Sequence, residues 1–228
     1  WGKVQLFEGG LRVPWVVAGP GVKAGAQCDV PVVQWDLLPT LHDLSGSKAP
    51  LPKNLDGGSL RDLLLKGNAG KVIRPVEGLI FHYPCYFAPP LSVIRLGDHK
   101  LMRHLLTGER RLYDVVKDPA EETNLIRSMR SKADQLDSVM KKYLEDIGAE
   151  DVGEVYQARL EELDLFEVRA KENFRKKTRD LDPKKDAAEV ARLKAKLQAD
   201  LERFARNRVE VDLNRNSSHW AGSPPKSN

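Results

Sequence analysis

The chain has 228 residues, of which 41% are hydrophobic, so it holds enough apolar material for at least one packed domain. Its net charge of +4 arises from 37 basic and 33 acidic side chains spread along the chain, and such a small excess argues against nucleic acid as a partner. No apolar run reaches the roughly 18 residues that a membrane-spanning helix needs, so we expect no membrane partner.

The first predicted elements are short and interrupted by glycine and proline. Residues 8–10 (Glu-Gly-Gly) predict a tight turn, because paired glycines allow positive φ. Residues 13–18 form an apolar run that predicts a strand buried on both faces. Residues 32–44 carry apolar side chains at helical spacing and predict a helix that begins with Asp36 as its cap. Another short helix is expected over residues 59–65.

From residue 79 the pattern changes to short extended runs. Gly97 and Gly108 lie between such runs, as hairpin turns do, and the spacing predicts an antiparallel meander of four strands. A helix over residues 131–147 has one apolar face and is expected to cover the sheet. The expected strands are residues 79–83, 92–96, 100–105 and 110–115.

Beyond residue 150 the sequence is roughly half charged, with both signs balanced, which is typical of solvated helix faces. Apolar side chains recur at steps of three and four over residues 156–174 and again over 190–204. Residues 180–183 separate the two stripes. The pattern predicts a helical hairpin of coiled-coil type, closed on itself or docked on a partner.

Short motifs follow one another in order through residues 1–147. They are Gly2-Lys3 with Leu6-Phe7-Glu8-Gly9-Gly10-Leu11-Arg12-Val13-Pro14, Asp36-Leu37-Leu38-Pro39-Thr40, Leu55-Asp56-Gly57-Gly58-Ser59, Phe81-His82-Tyr83-Pro84 and Leu112-Tyr113-Asp114. In this series the chain resembles the sulfatase (arylsulfatase-type) family of the alkaline-phosphatase-like superfamily.

The resemblance implies an α/β protein, with an α+β arrangement inside this chain. The chain would be the C-terminal part of a sulfatase-like sandwich, with a small antiparallel sheet plus a helix, followed by a helical hairpin that lies outside the family pattern. The expected divisions are the end of the catalytic domain (1–75), the sheet-plus-helix subdomain (76–149), the charged hairpin (150–213) and a flexible tail (214–228).

The motif that makes a sulfatase catalytic does not occur in this sequence. The family needs a Cys/Ser-x-Pro-x-Arg segment, whose first residue is oxidised to formylglycine, and a set of Asp, Asn and His side chains that hold calcium. Neither Cys28 nor Cys85 has proline two positions later, and the sequence does not decide whether the two cysteines pair. The resemblance therefore implies that calcium and formylglycine belong to upstream sequence, and we assign no metal ligand here.

Two residues are candidates for the substrate site. Lys3 matches the family lysine whose ammonium contacts the oxygens of the sulfate ester, where a fixed positive charge stabilises the transition state. His82, at the end of a predicted strand, is a candidate for substrate contact, with packing as the alternative.

Four other charged residues receive a structural interpretation. Glu8 and Arg12 are expected to pin the glycine turn as an i, i+4 pair. Arg95 and Lys100 are expected to point toward solvent or toward Asp114, with binding of an anionic sugar as the lesser alternative.

The main functional hypothesis is hydrolysis of sulfate esters, of a small molecule or a sulfated polysaccharide, by the intact protein; the fragment alone is expected to be inactive. A non-catalytic module that self-associates through the 150–213 helices is the alternative from another class. A phosphoester or phosphonate hydrolase of the same superfamily is the other enzymatic alternative. The sequence leaves the compartment unknown, and the family resemblance implies a periplasmic or secreted protein.

Overall fold

A four-stranded antiparallel sheet is the centre of the computed structural model, which describes residues 5–84 and 89–216, without the side chains at 210 and 213–216. The strands lie in chain order, so the sheet is a simple meander, as predicted. The strands are β1 (Leu79–Tyr83), β2 (Leu91–Leu96), β3 (His99–His104) and β4 (Arg110–Asp114).

Glycines close two of the hairpins because their backbone is left-handed there. Gly97 has φ of 60° between β2 and β3, and Gly108 has φ of 70° between β3 and β4. The register pairs Ile94 with Leu101 and Leu101 with Leu112, so one row of apolar side chains crosses the central strands on one face.

The two faces of the sheet have different covers. On one face the row of Ile94, Leu101 and Leu112 packs against a long helix whose Leu136 and Met140 are fully buried. Each such side chain contributes about 1.5–3 kcal/mol when it leaves water. The other face packs against Phe7, near the start of the chain. The helices are α1 (Glu8–Leu11), α2 (Leu37–Leu44), α3 (Arg61–Lys66), α4 (Arg130–Asp146), α5 (Val152–Thr178) and α6 (Ala187–Asn216).

The prediction of a buried strand over residues 13–18 is wrong. In the part of the chain that the structure describes, these residues join no sheet, and the Val16 side chain is 89% exposed. A strand needs a neighbouring strand to accept and donate its backbone hydrogen bonds. The apolar side chains of this run therefore form a surface that no described part of the chain covers.

The helix expected over residues 32–44 is present but shorter, and its apolar side chains face outward. A 3-10 turn over Gln34–Asp36 leads into α2, whose Leu41 is 62% exposed while Thr40 is buried. Thr40 is turned inward because its hydroxyl donates to the Asp36 carbonyl at 2.6 Å and accepts from the Leu60 amide at 2.9 Å. The apolar stripe of α2 was correctly located, but it faces outward.

Asp36 caps a different element from the one expected. One of its carboxylate oxygens accepts from the Val33 amide at 3.0 Å, at the start of the 3-10 turn. The same buried carboxylate receives Arg74 through two nitrogens, at 2.6 and 2.8 Å, and the Gly58 amide at 3.0 Å. This group of bonds ties three separate segments of residues 31–74 together.

The predicted helical hairpin is present as α5 and α6. The helices run in opposite directions and share a small core of Tyr156, Leu163, Phe204 and Val211, against which Leu106 of the β3–β4 turn also packs. Helix α6 continues to Asn216, three residues past the expected boundary at 213. Among the described residues, no helix is apolar over a length that could cross a bilayer.

Candidate functional site

The segment that follows Lys3 is fixed on the sheet by its aromatic side chain. Phe7 is only 2% exposed and packs with Leu91, Val93, Met102 and Tyr113 on the face opposite α4. Lys3 itself lies outside the described residues. The segment 5–11 is thus held by the C-terminal sheet.

The expected glycine turn after Phe7 is a single turn of helix instead. Gly9 and Gly10 do not have positive φ, and the Phe7 carbonyl accepts from the amides of Gly10 at 2.9 Å and Leu11 at 3.0 Å. The prediction was wrong because paired glycines permit a left-handed backbone without requiring it. The helical turn directs Glu8 inward, where it is 5% exposed.

Glu8 belongs to a buried cluster of charges. Its carboxylate lies 3.0 Å from the ammonium of Lys100, and Lys100 lies 2.9 Å from Glu121. The Glu8 amide donates to the second oxygen of Glu121 at 2.7 Å, and Arg95 approaches Glu8 at 3.7 Å. We call Glu8, Lys100, Glu121 and Arg95 the charge cluster.

The structure corrects the expectation for Lys100. Its side chain is completely buried, because alternation along β3 places it beside Met102 on the Phe7 face, away from solvent and from Asp114. A lysine ammonium is stable there only because two carboxylates compensate it. The partners of Glu8 are likewise Lys100 and Arg95 rather than Arg12.

Glu121 is the most unusual member of the charge cluster. Its backbone is left-handed, with φ of 58°, which is uncommon for a residue with a side chain. Burial raises the pKa of its carboxyl, and this effect outweighs the opposing effect of the nearby Lys100 ammonium. The burial of Glu121 could not be predicted, since a single glutamate in a loop gives no local signal of it.

His82 lies on the other face of the sheet from the charge cluster. Its Nδ1 is 2.7 Å from the hydroxyl of its cross-strand neighbour Ser92, and its Nε2 is 3.0 Å from the Glu150 carbonyl oxygen. Both ring nitrogens are therefore within hydrogen-bond distance of protein atoms. The histidine joins β1 to the segment that follows α4.

No metal site is formed by the residues that the structure describes. Within residues 5–84 and 89–216, no three His, Cys, Asp or Glu side chains are grouped as ligands. The carboxylates of Glu8, in segment 5–11, and of Glu121 both form ion pairs with Lys100. Cys28 is an exposed free thiol, and Cys85 lies outside the described residues.

Comparison with known proteins identifies the class of protein that this chain resembles. The chain is 34% identical over 137 residues to a choline-sulfatase of Rhizobium meliloti (strain 1021), a match that covers 59% of this chain and 25% of that protein. It is 32% identical over 129 residues to the human arylsulfatase K, a match that covers 54% of this chain and 24% of the relative. These proteins are sulfatases, and the chain spans about a quarter of their length.

The family follows from the match to a family model. Residues 1–150 match the family described as "N-sulphoglucosamine sulphohydrolase, C-terminal", and the chain belongs to this family. A solved structure of BT4656 in complex with its substrate D-glucosamine-2-N,6-O-disulfate superposes with a TM-score of 0.47 and 25% identity, over 57% of this chain and 27% of that one. The family match confirms the resemblance seen in the sequence, and the sheet and helices of the chain itself confirm the mixed fold.

Proposed function

We propose that this chain is the C-terminal part of a sulfuric ester hydrolase. We use the term intact protein for the polypeptide that contains both this chain and a catalytic region. The observation that carries the proposal is the family match over residues 1–150, the same part of the chain in which segment 5–11 packs on the sheet. The fragment alone is expected to be inactive, because formylglycine and calcium would come from residues outside this chain.

Lys3 is the residue proposed to act on the substrate. It lies four positions before Phe7, and a chain of that length spans at most about 14 Å. Anchoring of Phe7 and Glu8 thus restricts where the Lys3 ammonium can be. A compact positive charge held near the sulfate oxygens stabilises negative charge that develops during transfer of the sulfuryl group.

Exposed apolar side chains in residues 1–75 support the proposal that this chain packs against another part of the intact protein. Val16, Leu41 and Ile73 are 89%, 62% and 86% exposed. Large apolar side chains are more stable when another surface removes them from water. We assign these side chains to packing against the rest of the catalytic domain, of which residues 1–75 are predicted to be the end.

The proposed substrate is a sulfated saccharide. The family description names a sulphoglucosamine, whereas the name of one relative, choline-sulfatase, indicates a small quaternary amine ester. The charged side chains that line a cleft in the sheet-plus-helix part are three arginines and one aspartate. This local excess of positive charge favours a sulfated saccharide over a small choline ester.

The substrate contact predicted for His82 stays a prediction. Its two hydrogen bonds to Ser92 and Glu150 support a role in anchoring the end of α4, and a substrate would have to replace one of them. His82→Gln keeps one hydrogen-bonding group, so an anchoring role predicts little change in KM. A role in substrate contact predicts a higher KM with kcat nearly unchanged.

The helical hairpin has its own candidate function. Leu165, Val168 and Val209 are more than half exposed on otherwise charged helices, which supports self-association through α5 and α6. This activity is independent of sulfate hydrolysis, and the two proposals are compatible in one protein.

The reaction is tested first on the coding sequence and then on the intact protein. A Cys/Ser-x-Pro-x-Arg segment encoded upstream of Trp1 and faster hydrolysis of an aryl sulfate than of the matching aryl phosphate support the proposal. A threonine in place of the Cys/Ser together with preference for the phosphate indicates the phosphoester hydrolase. Absence of both activities indicates the association module.

A further inference from the structure

A cleft of about 270 Å³ opens where β4 meets the start of α4. It is lined by Arg110, Ile126, Arg127, Arg130 and Asp134. The three arginines come from three elements: the strand, the loop before the helix, and the first turn of the helix. We call this the arginine cleft.

The positive charge of the cleft exceeds what its carboxylates compensate. Arg110 is held by Asp134 at 2.8 Å, but Arg127 and Arg130 have no carboxylate within ion-pair distance among the described residues. The next carboxylate, Asp137, has three cationic partners of its own. These are Arg103 at 3.2 Å, Arg110 at 3.4 Å and Lys141 at 3.1 Å.

Arg127 and Arg130 do not lie where they would stabilise the chain. Both arginines add positive charge to the same cleft, and Arg130 begins α4 at the end where a cation is unfavourable. The first turn of α4 contains no acidic side chain that would offset these effects. Neither arginine is buried, so packing does not explain them.

The chemistry of the cleft suits an oxyanion. A guanidinium group binds a sulfate or carboxylate through two parallel hydrogen bonds, and Arg110 is already oriented by its aspartate partners. Ile126 adds an apolar wall, as saccharide-binding clefts need for the carbon face of a ring. At about 270 Å³ the cleft is slightly smaller than typical ligand sites, so it accommodates one or two charged groups of a chain.

We infer that the arginine cleft binds a sulfate group of an anionic saccharide. The choice of a saccharide rests on the proposed function; the preference for an oxyanion rests only on the arginines. Such a site holds a polymeric substrate at the sheet-plus-helix part of the chain, so the inference selects a sulfated polysaccharide over a small sulfate ester.

Binding to the 228-residue chain itself tests the inference. We would titrate the chain with a heparin-derived hexasaccharide by isothermal calorimetry and compare Arg127→Glu/Arg130→Glu with the charge-matched control Lys184→Glu/Lys185→Glu. The control residues lie at the exposed connection between α5 and α6 and make no side-chain ion pair among the described residues. Circular dichroism verifies that both variants fold.

The cleft variant is expected to bind at least about tenfold more weakly, a loss of about 1.4 kcal/mol, while the control stays within about twofold of the original chain. A hexasaccharide of hyaluronan, which carries carboxylates without sulfates, should bind more weakly than the sulfated probe. Unchanged binding by the cleft variant, or equal losses in both variants, would overturn the inference. An intact protein that hydrolyses no sulfate ester would contradict the proposed function without affecting this binding result.

Discussion

The ammonium of Lys100 lies 3.0 Å from a carboxylate oxygen of Glu8, although 92 positions separate the two residues in the chain. The contact joins the segment that follows Lys3 to the third strand of the sheet. Both side chains are buried, so the pair holds segment 5–11 in one place on the sheet. The position of segment 5–11 on the sheet therefore depends on a residue more than 90 positions further along the chain.

Replacing Lys100 with methionine should destabilise the fold strongly. Lys100→Met preserves the length of the side chain but leaves the buried Glu121 carboxylate without its cation and Glu8 with only Arg95 at 3.7 Å, and breaking such a buried pair typically costs about 3–5 kcal/mol. Urea denaturation of the 228-residue chain measures the loss. The matched control is Lys117→Met, at a lysine that is 84% exposed and pairs with Asp114, where we expect less than about 1 kcal/mol. Equal effects at the two positions would show that the buried cluster is not important for stability.

The raised pKa of Glu121 predicts a distinct pH dependence of stability. Because burial favours its neutral form in the folded state, Glu121 contributes most to stability below its ordinary pKa of 4.5, and this contribution is lost as the pH rises through the raised folded pKa. Glu121→Gln removes the titration but retains an oxygen that accepts from the Glu8 amide. The stability advantage of the original chain over the variant should therefore shrink as the pH rises above about 4.5.

Thermal unfolding of both proteins between about pH 4 and pH 7 measures this difference. Other carboxylates, such as Asp62 and Asp114, have lowered pKa values and change stability in the opposite direction, but they titrate equally in both proteins and cancel. A difference that grows with pH would contradict the raised pKa of Glu121.

Gly57 should not tolerate even a methyl group. A Cβ at this position would overlap the carbonyl oxygen of Trp35, which belongs to the 3-10 turn held by Asp36. Gly57→Ala is expected to destabilise the chain by at least about 2 kcal/mol. Gly19→Ala is the control, because no atom lies within 4 Å of the place that the added methyl group would occupy and the φ of Gly19 is not positive. Denaturant midpoints of the two variants compare them directly, and similar values would be inconsistent with the close approach at Gly57.

Deleting the helical hairpin should leave the sheet folded. The hairpin has a separate core that reaches the sheet through Leu106, and the bond from His82 to Glu150 is retained when the chain ends at residue 150. We expect residues 1–150 to keep a cooperative unfolding transition. Light scattering should show association of the 228-residue chain and a monomer for residues 1–150. Equal association by both would remove the hairpin from this role.

The regular elements were the easiest features to predict. The strands around Gly97 and Gly108 and the long helix after them were located within one or two residues, since periodicity and turn glycines are local signals. The division of the chain into domains and the role of Lys3 stay predictions.

Local sequence patterns predicted burial incorrectly where contacts between distant residues determine which side chains are buried. The apolar run at 13–18 was predicted to be buried, but its own residues do not indicate which other part of a protein would cover it. Lys100 was expected to point toward solvent or toward Asp114, because its actual partners Glu8 and Glu121 lie far away in the sequence and alternation along a strand does not reveal them. Arg74, which holds Asp36, gave no pattern at all.

The rate of sulfate ester hydrolysis by the intact protein carrying Lys3→Ala tests the central claim most directly. Lys23→Ala, a substitution at an exposed lysine outside the motif, is the control. Loss of one donor to the transition state is expected to reduce kcat by about 100-fold or more, with folding unchanged by circular dichroism and the control fully active. Turnover by the Lys3→Ala protein within about twofold of the unsubstituted enzyme would contradict the claim.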